Sequence, residues 1–258
     1  MVRATRAEPH ETSARPVIGI GNEYPSGHLH PAHRHRRSQL LYAEYGTMLV
    51  DTGNNRWIVP PHEGVWIPAG VLHGFQMLSN VGTRSVYFER KMTHGFSSCC
   101  QVVGVSPLLR QLLIEAADLP VDYDVQSRGG KIMSLIMDEV KLAPARPLCV
   151  PLPRHPALAV YCRRFAESPS LQETTDSWSG GLGLSRRTFT RLFRLETGLS
   201  FGEWRRRACL HAALPRLLSG KSVTAVAFDL GYSSSAAFTA MFTRLVGTSP
   251  VEYLRKMS

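Results

Sequence analysis

Two short stretches of the chain repeat one another 48 residues apart, and they restrict its possible folds more than any other feature. They are Trp178-Ser-Gly-Gly-Leu-Gly-Leu-Ser185 and Val226-Ala-Phe-Asp-Leu-Gly-Tyr-Ser233. Each has a small residue (Ser179, Ala227), a glycine four later (Gly183, Gly231) and a serine two after that (Ser185, Ser233). The small residue lets two helices cross closely. The glycine supplies a positive φ in a tight turn. The serine accepts a backbone N–H at the start of the next helix. This is the layout of a helix-turn-helix, whose second helix enters a DNA major groove.

The stretches after each serine fit that layout. Phe189, Leu192 and Phe193 form one stripe of the first helix. Arg187, Thr190, Arg191 and Arg194 lie at i, i+3, i+4 and i+7 on another face. In the second helix Phe238, Met241, Phe242 and Leu245 form the apolar stripe, and Ser235, Ala236, Thr239, Ala240 and Thr243 face the other way. Arg186 and Ser234 sit at the helix starts and complete the candidate DNA-contact set. Arginines suit guanine acceptors and phosphates, whereas a small neutral face suits thymine methyls. The first unit is therefore expected to carry more of the specificity. The same spacing predicts helices over 157–167, 174–182, 186–196, 201–218, 222–230, 234–246 and 250–257.

Charge agrees with this reading. Residues 1–155 hold 16 basic and 13 acidic side chains, whereas 156–258 hold 14 and 7, so the shorter part carries most of the +10 excess. A basic balance is compatible with a polyanionic partner.

The stretch from about Ser170 to Tyr253 resembles the AraC/XylS family of bacterial transcription regulators. The residues that carry the resemblance are Ser185-Arg-Arg-Thr-Phe-Thr-Arg-Leu-Phe193, Glu196-Thr-Gly-Leu-Ser200, Val223-Thr-Ala-Val-Ala-Phe-Asp-Leu-Gly-Tyr232 and the run from Phe238 to Tyr253. The resemblance implies that a long helix, Phe201 to Leu218, joins two units that enter successive major-groove segments of double-stranded DNA. It places base contacts on Arg187, Thr190, Arg191, Ser235, Ala236 and Ala240. It also implies a homodimer without enzymatic activity, with RNA polymerase and a small-molecule effector as candidate partners. Three positions depart from the pattern: Gly180-Gly181, which weaken the helix before the first turn by about 1 kcal/mol each; Thr175, where an apolar residue is usual; and Pro215, which should kink the joining helix.

The first part has a different texture. From Pro16 to Met92, short apolar runs such as 39–45, 47–51, 57–60, 65–67 and 84–89 are broken by Gly, Pro and Asn, and Asp51-Thr-Gly-Asn-Asn55 is a hairpin signal. This suggests a small β-barrel or sandwich. Leucines and isoleucines at 108–113 and 132–140 predict two helices joined by the polar stretch 120–130, and four prolines over 146–156 predict an extended linker. The expected architecture is an α+β multidomain chain. It comprises a flexible arm (1–15), a cupin-like β-barrel (16–97), a helical connector for dimerisation with its linker (98–155), and an all-α double helix-turn-helix domain (156–258).

Seven of the ten histidines fall between His28 and His94. His33-x-His35-x3-Gln39-x6-Gly46 and Pro68-x-Gly70-x2-His73 resemble the two cupin motifs, with Gln39 where a glutamate is usual. Residues i and i+2 of a strand project to one side, so His33, His35, Gln39 and His73 can converge on a zinc, nickel or iron ion, or contact an effector without metal. His28 and His30 read as arm residues. Trp57, Trp66, Tyr42, Tyr45 and Phe75 either line a small-molecule pocket or fill the core.

Three function classes stay open on these residues: an effector-controlled DNA-binding regulator, a metal sensor, and a cupin dioxygenase or isomerase using His33, His35 and His73. Other catalytic signatures fail. Gly220-Lys221-Ser222 has Pro215 where a P-loop needs glycine, and His62-Glu63 is followed by Gly-Val-Trp rather than the remainder of HExxH. Five cysteines without a CxxC argue against a disulfide framework or zinc ribbon. No apolar run reaches membrane-spanning length, and the polar start 1–14 lacks a secretory apolar core, so no membrane partner and a cytoplasmic location are expected.

Overall fold

The computed structural model describes residues 12–53 and 55–255, so residues 1–11 of the expected arm and 256–257 of the last expected helix lie outside the described residues. The described chain divides into two compact units, 12–53 with 57–147, and 55–56 with 148–255.

In the first unit the strands are β1 (Val17–Tyr24), β2 (Leu29–His33), β3 (Ser38–Tyr45), β4 (Met48–Asp51), β5 (Asn55–Val59), β6 (Glu63–Ile67), β7 (His73–Met77), β8 (Val81–Phe88), β9 (Gln101–Gly104) and β10 (Ala145–Arg146). They form two sheets, one in the order β1-β8-β3-β6-β9-β10 and the other containing β5-β4-β7-β2. The expected barrel is therefore not closed. Closure needs a ladder that continues around the circumference. Here the first sheet ends at β1, and helix α1 (Pro107–Asp118) packs along it. At Gly19 of β1 a Cβ would collide with the backbone carbonyl of Ala116 in α1, so only glycine permits this approach.

Helix α2 (Arg128–Leu142) shares a core with α1 and the first sheet. Leu40 and Tyr42 of β3, Val86 and Phe88 of β8, and Trp66 of β6 pack against Leu109, Leu113, Ile132 and Ile136 of the two helices. Because helices cover one face and the second sheet lies on the other, β3 is buried from Ser38 to Ala43 without alternation. Its period of two still matters. With Leu40 and Tyr42 turned to the helices, Gln39 points to the opposite face of the sheet. Trp57, Trp66, Tyr42 and Phe75 are buried and Tyr45 is exposed, so four of the five aromatics are core. All five cysteines lie among the described residues, and none is in a disulfide.

The second unit begins with β11 (Cys149–Pro151) and continues as α3 (Pro156–Glu167), α4 (Thr175–Gly181), α5 (Arg186–Thr197), α6 (Phe201–Leu218), α7 (Val223–Asp229), α8 (Ser235–Val246) and α9 (Pro250–Arg255). Trp178 anchors the first half, ringed by Phe165, Phe189, Phe193, Phe201 and Trp204. Tyr232, Phe238, Phe242 and Tyr253 play that part in the second half. The departures noted above are accommodated. A reciprocal Thr174/Ser177 capping box starts α4 despite its two glycines, and a side chain at Gly181 would strike the Tyr161 hydroxyl of α3. Helix α6 runs through Pro215 to Leu218.

Candidate nucleic-acid interface and histidine cluster

Gly183 and Gly231 adopt φ of 66° and 78°, closing the α4–α5 and α7–α8 turns in the left-handed region. Ser185 caps α5 by accepting the Thr188 N–H at 3.2 Å. In the second unit the cap is one residue later than the repeat predicts. Ser234, not Ser233, accepts the Ala237 N–H at 3.2 Å, because that turn is one residue longer. Both helices stop on left-handed glycines, Gly198 and Gly247.

Behind these caps, Phe189 and Phe193 of α5, and Phe238 and Phe242 of α8, are fully buried. On the other side of α5, Arg186, Arg187, Thr190, Arg191 and Arg194 are all exposed. On α8, Ala236, Ala240 and Thr243 are exposed, whereas Ser234, Ser235 and Thr239 are half-buried. Thr190 spends its hydroxyl proton on the Arg186 carbonyl at 2.9 Å, leaving an acceptor and a methyl outward. Arg186 is not independent: Asp176 of α4 lies 3.6 Å away, both side chains in solvent. Sequence reasoning missed Asp176 because the pair spans the turn between helices. Neither outward face is packed into the protein interior.

In the first unit the structure gathers His33, His35 and His73, with one nitrogen from each within 4.8 Å of the others. His33 ends β2 opposite His73 at the start of β7, His35 follows in the loop, and Gln39 comes from β3. Each imidazole is oriented by a backbone carbonyl two residues away. His33 Nδ1 lies 3.1 Å from the Pro31 carbonyl, His35 Nδ1 2.6 Å from Arg37 and His73 Nδ1 2.9 Å from Val71. A carbonyl only accepts, so these contacts place a proton on each Nδ1; on His73 that leaves Nε2 with a lone pair, whereas His35 Nε2 faces an acceptor oxygen and needs a proton to bond it. His73 Nε2 is buried and has no hydrogen-bond partner among the described residues. Burial lowers the His73 pKa to about 4, helped by its imidazole neighbours, so the ring is neutral at physiological pH. His35 Nε2 faces Gln39 Oε1 at 3.1 Å, and Gln39 Nε2 donates to Ser85 Oγ and Tyr87 OH, each at 3.0 Å.

His28 and His30 are not arm residues. His30 stacks on Phe75 with centroids 4.4 Å apart and planes 6° from parallel, and His28 packs on Tyr24. The sequence hid this because Phe75 arrives from the neighbouring strand β7.

Comparison with known proteins draws both halves together. A profile described as an AraC-like ligand binding domain matches residues 17–132, and one described as a helix-turn-helix domain matches 178–256. The HTH-type transcriptional regulator NimR of Escherichia coli is 32% identical over 96% of this chain and 90% of its own length. The chain belongs to the AraC/XylS family. Like other members of AraC/XylS, it is a DNA-binding transcription regulator with an N-terminal ligand-binding domain, and its curated relatives NimR and RipA are transcriptional regulators. The regulator RipA of Corynebacterium glutamicum is 31% identical over 39% of this chain and 30% of its own length. Among solved structures, ToxT of Vibrio cholerae covers 95% of this chain and 99% of its own, at 10% identity and a TM-score of 0.40. No helix among the described residues is long and apolar enough to cross a membrane.

Proposed function

We propose that this regulator reads DNA chiefly through α5. In this reading Arg187, Arg191 and Arg194 contact guanine edges and phosphates, with Arg186 and Thr190 beside them. Helix α8 lays Ser234, Ser235, Ala236, Thr239, Ala240 and Thr243 into the next major-groove segment as a close-fitting, weakly charged surface. The observation that supports this is the pair of equivalent capped helices with buried phenylalanines behind and the candidate residues outward. Footprinting of the full chain on a duplex it selects from a random library should show two protected major-groove segments on one DNA face. Binding should weaken steeply with salt. One protected segment, or none, would overturn the reading.

A second reading concerns the ligand-binding domain and is favoured by the convergence of three imidazoles and by the buried His73 Nε2, which has no hydrogen-bond partner among the described residues. The donor set fits a borderline divalent ion: three imidazoles held from behind by carbonyls, plus one amide oxygen. When bound, such an ion would crosslink β2, β3 and β7. Gln39 would contribute its oxygen while its NH2 stays on Ser85 and Tyr87. Zinc, nickel or iron retained after dialysis should be lost on His33→Ala with His35→Ala, and metal should change affinity for the selected duplex. A chain that retains the same metal content in the double variant removes this ligand set. In the same reading the chain forms a homodimer over α1 and α2, where Leu108, Leu135 and Leu142 are exposed. A sedimenting monomer at micromolar concentration would refute that.

A further inference from the structure

The segment 148–155, read from sequence as an extended linker, is gripped along its length by the second unit. Three side chains of α6 take its carbonyls in order. His211 Nε2 lies 3.1 Å from the Leu148 oxygen, Arg207 Nη1 donates to Cys149 at 3.1 Å, and Trp204 Nε1 donates to Pro151 at 2.7 Å. Positions 204, 207 and 211 are separated by three and four residues, so they form one row on the helix. The row runs antiparallel to the segment it holds. The side chains of Leu148, Val150 and Pro153 are buried along the held segment. At the far end, Glu196 in the last turn of α5 accepts the backbone N–H of Arg154 at 2.7 Å and of His155 at 2.9 Å through one oxygen, Oε2. His155 precedes α3 and makes no side-chain cap of its own. The glutamate of one helix thus satisfies orphan donors at the start of another.

Pro151 and Pro153 have no N–H, so between Val150 and Arg154 only Leu152 can donate. The three α6 side chains meet carbonyls, and the N–H groups of Arg154 and His155 meet a carboxylate.

We propose that residues 148–155 form a strap that sets the position of α5, with Glu196 as its positioning residue. The chain arriving from the ligand-binding domain is then fastened to the DNA-reading helix two residues beyond Arg194. Displacement of the strap would reach α5 directly. The proposal rests on the reading that α5 contacts DNA, but the grip itself can be measured separately.

The test uses the full chain and the duplex it selects from a random library. In the free wild-type chain, the amides of Arg154 and His155 should exchange slowly with solvent deuterium. Glu196→Ala should release them and weaken binding to the selected duplex about tenfold, the size of one lost charge-assisted hydrogen bond. Binding to random-sequence DNA should stay within about twofold, because phosphate contacts tolerate a small reorientation. Glu196→Gln, which keeps an acceptor oxygen, should recover most of the loss. A Gly-Ser pair inserted between Pro147 and Leu148, upstream of the grip, should leave selected-duplex binding intact. The same pair inserted between Val150 and Pro151 should impair it. Fast exchange at Arg154 and His155 in the wild type, equal effects of the two insertions, or equal loss on selected and random DNA would each overturn the strap. Should the second insertion prevent folding, the exchange rates and the Glu196 pair decide. If Arg191→Ala leaves selected-duplex affinity unchanged, the α5 reading fails instead, while slow exchange at 154–155 still reports a held strap.

Discussion

Both recognition helices begin on a serine cap after a left-handed glycine, bury two phenylalanines and stop on another glycine. Yet α5 turns four arginines to solvent where α8 turns alanines and hydroxyls. The shared part is what a helix needs to be placed in a groove. The differing part is what it says to the bases once there. A face of alanine and threonine can approach closely and meet thymine methyls, but it brings no long-range attraction. An arginine face brings attraction and bidentate recognition of guanine. In the proposed reading, capture and discrimination fall mainly to the first helix-turn-helix and close fit to the second.

The scaffold half of this comparison carries the largest effects. Phe189→Ala and Phe238→Ala each remove a fully buried ring, and each should cost about 3–5 kcal/mol in chemical denaturation of the second unit. A cost for Phe189 far above that for Phe238 would show that the aromatic cluster around Trp178 holds both halves, and that the scaffolds are not equivalent. The recognition half comes next. Arg191→Ala should cost about 1–3 kcal/mol on the selected duplex and relax base preference at one position. Thr243→Ala on α8 should stay within about 0.5 kcal/mol. Comparable losses from both, measured by titration at fixed salt, would erase the asymmetry.

Smaller effects sharpen the picture. Ser185→Ala and Ser234→Ala should each destabilise by about 1 kcal/mol. An unaffected Ser234 variant would return the second cap to Ser233. Finally, α6 joins the two helix-turn-helices and carries His211, whose pKa burial pulls down to about 3. Its folded value lies below the unfolded one, near 6.5. Between those values the unfolded chain binds more protons, so the contribution is present above about pH 6.5 and is lost as pH falls toward 3. His211→Gln keeps a donor for Leu148 and should flatten the fall in melting temperature between pH 7 and 5. An unchanged slope would mean that other groups govern it.

Much of the second unit was legible without coordinates. Gly183, Gly231 and Ser185 announce their backbone conformations chemically, and the phenylalanine spacing marks the buried side of each helix. The helix limits predicted there differ from the observed ones by about a residue where they are described. The first unit was less legible. The buried run of β3 lacks alternation because helices cover one side of its sheet, and β2 and β7 contain polar and aromatic residues that look like loop. The two motif histidines separated by 40 positions, His33 and His73, were paired from sequence by resemblance. That His30 stacks on Phe75, or that Gln39 is fixed by Ser85 and Tyr87, depends on strand register, which no local pattern reveals.

By itself, then, the sequence determined where the two turns lie, which helix faces are apolar and which carry arginine, because helix period and glycine φ are local properties of the chain. Only the tertiary structure decided that the sheets stay open rather than closing, that three imidazoles share one space, and that Glu196, Trp204, Arg207 and His211 grip residues 148–155. The physical reason is the same in each case. The partners are backbone carbonyls and amides or residues on distant strands, and a backbone group leaves no mark in the sequence to show which side chain will find it.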